Sequence, residues 1–143
     1  MTQGNVLFDV WLMARATAAA IDEAVSAAGL DADEFAVYSM LATGPDAAEG
    51  MRPSDLSRWM SAPPTTVSSY LKRFGRRGHL ERSPDGNDAR SHRVRLTAEG
   101  LAAHRAAATH FEPLLTKVNE ALGAEVSSTR ERLLWLHRIM STS

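Results

Sequence analysis

The sequence predicts a mostly α-helical chain with one small β-hairpin, basic in the middle and acidic at both ends. Three observations carry this. Apolar residues recur at helical spacing on both sides of the centre, strict alternation occurs only around residues 91–96, and charge is segregated. Residues 52–95 hold ten Lys and Arg against four acids (Asp55, Glu81, Asp85 and Asp88), a formal 10 − 4 = +6. The remainder holds six basic and thirteen acidic residues, 6 − 13 = −7, so the net −1 of the 143-residue chain conceals a polarised molecule. A basic module between acidic flanks suits contact with a polyanion through one face.

Composition sets further bounds. At 44% apolar and 23% charged residues the chain reads as globular. The absence of cysteine excludes disulfides, thiolate zinc sites and thiol redox sensing. No apolar run approaches the ~20 residues that span a bilayer, and residues 1–9 lack a signal-type pattern, so a cytoplasmic protein is expected.

The elements follow in order. Residues 6–28 read as one long helix, with Val6, Val10, Met13, Ile21 and Val25 near helical spacing and Leu7, Trp11, Ala14 and Ala18 beside them; Gly29 is its stop. The breadth of that band implies more than one packing neighbour. Asp31 is an N-cap with Glu34 placed to complete a capping box, and the helix after it ends at Gly44-Pro45. Residues 46–50 form a polar loop. Pro53 opens a short helix with Leu56, Trp59 and Met60 on its apolar face. After the break at residues 61–64, a helix over 64–77 has Val67, Tyr70, Leu71 and Phe74 at i, i+3, i+4 and i+7. Residues 79–82 and 91–96 are strands, His92, Val94 and Leu96 facing one way and Ser91, Arg93 and Arg95 the other. The Pro84-Asp85-Gly86-Asn87 run between them predicts a loop too long for a two-residue turn. Thr97 caps a long helix in which Pro113 marks a kink and Gly123 a break, and residues 125–140 form the last helix.

The helix at 64–77 has the chemistry of a groove reader. The major groove is about 12 Å wide and admits one helix. Thr65, Thr66, Ser68 and Ser69 are short polar groups near its start, where the backbone approaches base edges; Lys72, Arg73 and Arg76 are longer cations for guanine edges or phosphates. A solvated polar face explains the same helix equally well on its own. The hairpin shifts the balance, because Arg90, Arg93 and Arg95 add cations beside it and its second strand carries no acid past Asp88.

Five elements occur in a specific order and spacing: Pro53-Ser54-Asp55-Leu56, Thr66-Val67-Ser68, Gly78-His79-Leu80-Glu81-Arg82, Asp88-Ala89-Arg90, and Val94-Arg95-Leu96-Thr97-Ala98-Glu99-Gly100. Together they resemble the winged helix-turn-helix of the MarR family of bacterial transcription regulators, and the flanking helices fit that family over nearly the whole chain. The resemblance implies a single domain over 1–143, with dimerisation helices at 5–29 and 97–141 and the winged helix-turn-helix at 31–96. It implies a homodimer on a near-palindromic duplex, most often as a repressor, released by a small aromatic ligand in a pocket that Trp11 and Met40 help to form. It sets Ser54, Thr65, Thr66, Ser68, Ser69, Lys72, Arg73 and Arg76 against DNA with Arg93 and Arg95 of the wing, Arg90 in the minor groove and Asp88 as its brace. Ala89 stands where family wings usually carry another arginine.

Blander readings accompany these. Asp88 suits a turn whether or not it braces Arg90. The histidine spacings give no metal-ligand set, no cofactor is expected, and Trp11, Trp59 and Trp135 read as core or dimer-interface anchors. No enzyme motif is present. The competing class is a winged-helix protein–protein interaction module; the Thr/Ser-rich start of the 64–77 helix argues against it, since a protein interface favours aromatics and larger apolar groups.

Overall fold

A computed structural model describes residues 4–85 and 88–141; the side chains of residues 85 and 88–91 lie outside the described ones. The helices are α1 (Val6–Val25), α2 (Ala32–Thr43), α3 (Pro53–Met60), α4 (Pro64–Arg76), α5 (Ala98–Leu122) and α6 (Val126–Ser141), with strands β1 (Leu80–Asp85) and β2 (Asp88–Leu96) between α4 and α5. The chain forms two compact units, Met1–Phe111 and Glu112–Ser143.

The first unit holds the core. Tyr38, Leu56, Val67, Leu71, Phe74 and Val94 are buried together, so α2, α3, α4 and the hairpin share one apolar centre, to which Val25 and Ala107 add. Local chemistry sets the joints. Asp31 and Glu34 form the expected capping box, and the Asp22 carboxylate of α1 accepts from the Ala32 N–H at 2.6 Å, tying α1 to the start of α2. Between α3 and α4, Ser61 adopts φ +53, and the Ser57 hydroxyl donates to the Ala62 carbonyl across that turn. Thr97 accepts from the Gly100 N–H and donates to the Gly78 carbonyl at 2.7 Å. Gly100 has no room for a side chain, since a Cβ there would meet the His79 carbonyl oxygen at 2.3 Å.

The hairpin departs from expectation. Its strands run on to an Asp85–Asp88 pair, with a register shift after the Pro84–His92 pair, so the strands are longer than the sequence suggests, and the expected long loop centres on residues 86–87, outside the described ones. Both strands of a two-stranded sheet are edges, where proline is tolerated, and Pro84 is part of β1 instead of ending it. Met51 pairs with Val94 through both backbone bonds at 2.9 Å, pinning the base of the 46–50 loop to the wing.

The tryptophans also depart from a core role. Trp11, Trp59 and Trp135 are 58%, 40% and 51% exposed. Val6, Leu7, Phe8, Leu12 and Met13 of α1 are exposed with Trp11. In the second unit α6 buries no residue, and Leu133, Leu134, Ile139 and Met140 lie open. An apolar helical stripe shows that a face seeks cover without showing what covers it. α5 continues through Pro113, and Gly123 opens a single 3₁₀ turn before α6. Among the described residues, no helix is long and apolar enough to cross a membrane.

Candidate nucleic-acid interface

α4 begins at two prolines, which leaves its first N–H groups without a side-chain cap. Val67, Leu71 and Phe74 bury its inner face, while Thr65, Thr66, Ser68, Ser69, Lys72 and Arg76 are all exposed. At about 100° per residue, Thr65, Ser69, Lys72 and Arg76 form one stripe opposite the core. Neither Lys72 nor Arg76 has an ion-pair partner among the described residues. Ser54, exposed at the start of α3, lines a cleft of about 220 Å³ with Pro64, Ser68, Arg82 and His92, in the angle between the two helices and the wing. Arg82 donates to His92 Nε2 at 2.7 Å on its rim.

The other predicted cations are placed differently. Arg73 lies on the flank of α4, over the Tyr70 ring at 5.3 Å, and pairs with Glu34 of α2 at 3.0 Å. Arg93 donates to the Gly50 carbonyl at 2.9 Å. Arg95 pairs with Glu81 at 2.6 Å and reaches the Ala48 carbonyl at 3.4 Å. These three hold the scaffold: one clamps α4 to α2, and two clamp the 46–50 loop to the wing. Asp88 and Arg90 belong to β2 near the wing tip, with their side chains outside the described ones.

Three residues that the sequence reading missed complete the clamp. Glu34, 4% exposed, receives Arg73 and, at 2.6 Å, Arg77 on one oxygen. Its other oxygen accepts the Asp31 N–H at 3.2 Å. Arg77 also donates to the Tyr38 hydroxyl, which lies 2.8 Å from His79 Nδ1. Beside them Tyr70 donates to Asp33 at 3.1 Å; burial and that carboxylate push the Tyr70 hydroxyl up to about 12. The spacing of Tyr70, Arg73 and Arg77 at i, i+3 and i+7 puts them on one face of α4, and the packing of α2 supplies the acids, Asp33 and Glu34, that this face meets.

Burial alone would push the Glu34 carboxyl up, but hydrogen bonds from Arg73, the Asp31 N–H and Arg77, with the Arg77 charge, hold it below the ordinary 4.5. A carboxyl depressed in the fold stabilises it above its unfolded value, and that contribution is lost as pH falls through the folded one. Stability is therefore expected to decline on acidification below about pH 4.5 more steeply in the parent than in Glu34→Gln, as read by thermal melts across pH; parallel curves would contradict the clamp.

Trp11 lines an open apolar cleft of about 570 Å³ with Leu7, Phe8 and Leu12, and a second along α1 with Ala14 and Arg15. Met40 lines neither and packs on the core from α2.

Known proteins share this fold. Residues 47–100 match the winged helix DNA-binding domain family. The transcriptional activatory protein BadR of Rhodopseudomonas palustris is 35% identical over 77 residues, 54% of this chain and 43% of BadR. The Mycobacterium tuberculosis transcriptional regulator MosR, solved with DNA, superposes at a TM-score of 0.78 with 22% identity, over 96% of each chain. Wild-type MarR of Escherichia coli superposes at 0.72 with 22% identity, over 94% of this chain and 96% of that one. This chain has the winged helix fold of the solved MarR regulators, and its residues 47–100 are similar to the winged helix DNA-binding domain family.

Proposed function

We propose that the chain is a homodimeric, sequence-specific, double-stranded-DNA-binding transcription regulator of the MarR family, acting in the cytoplasm by binding and not by catalysis. One observation carries this: a stripe of short polar and cationic residues (Thr65, Ser69, Lys72 and Arg76), facing away from the core on a helix that begins without a side-chain cap. Short groups near the helix start suit base edges, and unpaired cations further along suit phosphates. Ser54, Thr66 and Ser68 flank the stripe; the family resemblance adds Arg90 as a minor-groove contact with Asp88 as its brace.

The dimer is supported by the uncovered apolar faces of α1 and, in the other unit, of α6. Two copies would set their α4 helices about 34 Å apart, one helical turn of a near-palindromic duplex. The whole protein is expected to sediment as a dimer and to select a near-palindromic duplex from a random pool, its affinity falling steeply with salt. A monomer, or binding indifferent to salt, contradicts the reading.

Two finer features rest on the family resemblance. Regulation is repression, and a small aromatic effector bound beside Trp11 relieves it. A promoter reporter whose output falls when the protein is absent would reverse the first, giving the role in BadR's name. A thermal-shift panel of phenolic acids tests the second, and no stabilisation by any of them would contradict it.

A further inference from the structure

We propose that Glu34 is a positioning residue that sets the rotation of α4 about its own axis, and with it the sequence preference of the outward stripe, by holding Arg73 and Arg77. The inference rests on the DNA-binding reading above.

The contacts divide by kind. The apolar side of α4 (Val67, Leu71, Phe74) supplies attraction without a fixed angle, because burial is non-directional. The flank supplies direction. One oxygen of a carboxylate that is 4% exposed lies 3.0 Å from Arg73 and 2.6 Å from Arg77. The other is fixed by the Asp31 N–H within the capping box, so Glu34 cannot swing with the helix it holds. Arg73 and Arg77 are one turn apart and lie over the rings of Tyr70 and Phe74, at 5.3 and 5.7 Å.

That grip is remote from the stripe it would control. Side chains on a helix reach a radius of about 5–6 Å, so a rotation of about 20° displaces their tips by about 2 Å. Hydrogen bonds to base edges do not survive that displacement, whereas attraction to phosphates at longer range does. Loosening Glu34 should therefore reduce discrimination between sequences and leave general affinity for duplex in place. Buried ionic groups are retained in some proteins for this kind of conformational specificity.

The test uses the whole protein, the duplex that the parent selects from a random pool, and a scrambled duplex of the same composition. Glu34→Gln keeps the shape and the acceptor for Asp31 but removes the charge. It is expected to lower the ratio of selected to scrambled affinity by about tenfold, with scrambled affinity and its salt slope unchanged. Arg73→Gln removes a partner that is 40% exposed and carries the test if Glu34→Gln fails to fold. The same loss of ratio is expected, and the double variant should lose little more than either single one. An unchanged ratio in folded variants overturns the inference alone. So does a salt slope that falls by about one charge in Arg73→Gln, which would place that guanidinium on a phosphate. A parent that selects no duplex sinks the DNA-binding reading and the inference with it.

Discussion

Phe74→Ala is expected to cost about 3–5 kcal/mol of folding stability, read as a lower midpoint in chemical denaturation. Phe74 is fully buried where α4 meets α2. Its ring is edge-on to Tyr38 at 4.5 Å and stacked on Tyr70 at 6.0 Å, under the Arg77 guanidinium. Truncation removes these contacts and leaves a cavity lined by rings that cannot collapse into it without shifting Tyr38 and its hydrogen bonds. A loss below about 1 kcal/mol would show that α4 is held mainly by something else.

Replacing Lys72 and Arg76 together by Ala is expected to weaken binding to any duplex on the order of 10–100-fold near 0.1 M salt, because each phosphate contact releases most of a counterion. The same argument predicts that the log–log salt slope falls by about 2. Both side chains are exposed and without ion-pair partners among the described residues, so folding stability should be nearly unchanged. The scaffold cations provide the contrast. Arg93→Ala and Arg95→Ala should leave the slope close to that of the parent, because the Gly50 and Ala48 carbonyls and Glu81 already hold these two guanidinium groups. A slope unmoved by the double replacement would remove Lys72 and Arg76 from the interface.

Periodicity made much of the fold readable in advance. The 3.6 period located the helices, the Asp31–Glu34 box and the Thr97 cap marked two starts, and the alternation at His92, Val94 and Leu96 placed the wing. Two kinds of fact were not readable. One is direction on a helix flank. Arg73 has the composition of a groove contact, but about 100° per residue carries it beside Tyr70 towards an acid some forty positions away, and only the packing of α2 on α4 joins them. The other is what covers an apolar face. Trp11 and Trp135 have the spacing of core residues and lie open on the single chain. The strands of the wing are longer than the sequence suggests because Pro84 and Asp85 carry turn chemistry, yet an edge strand accommodates both.

The outward face of α4 is the centre of the account, and a photoreactive side chain in place of Ser69 tests it most directly. On irradiation with the selected duplex, position 69 should cross-link to DNA, while the same group in place of Ala19, exposed on α1, should not. Cross-linking from position 19 with none from position 69 would place the duplex on another surface and contradict the account.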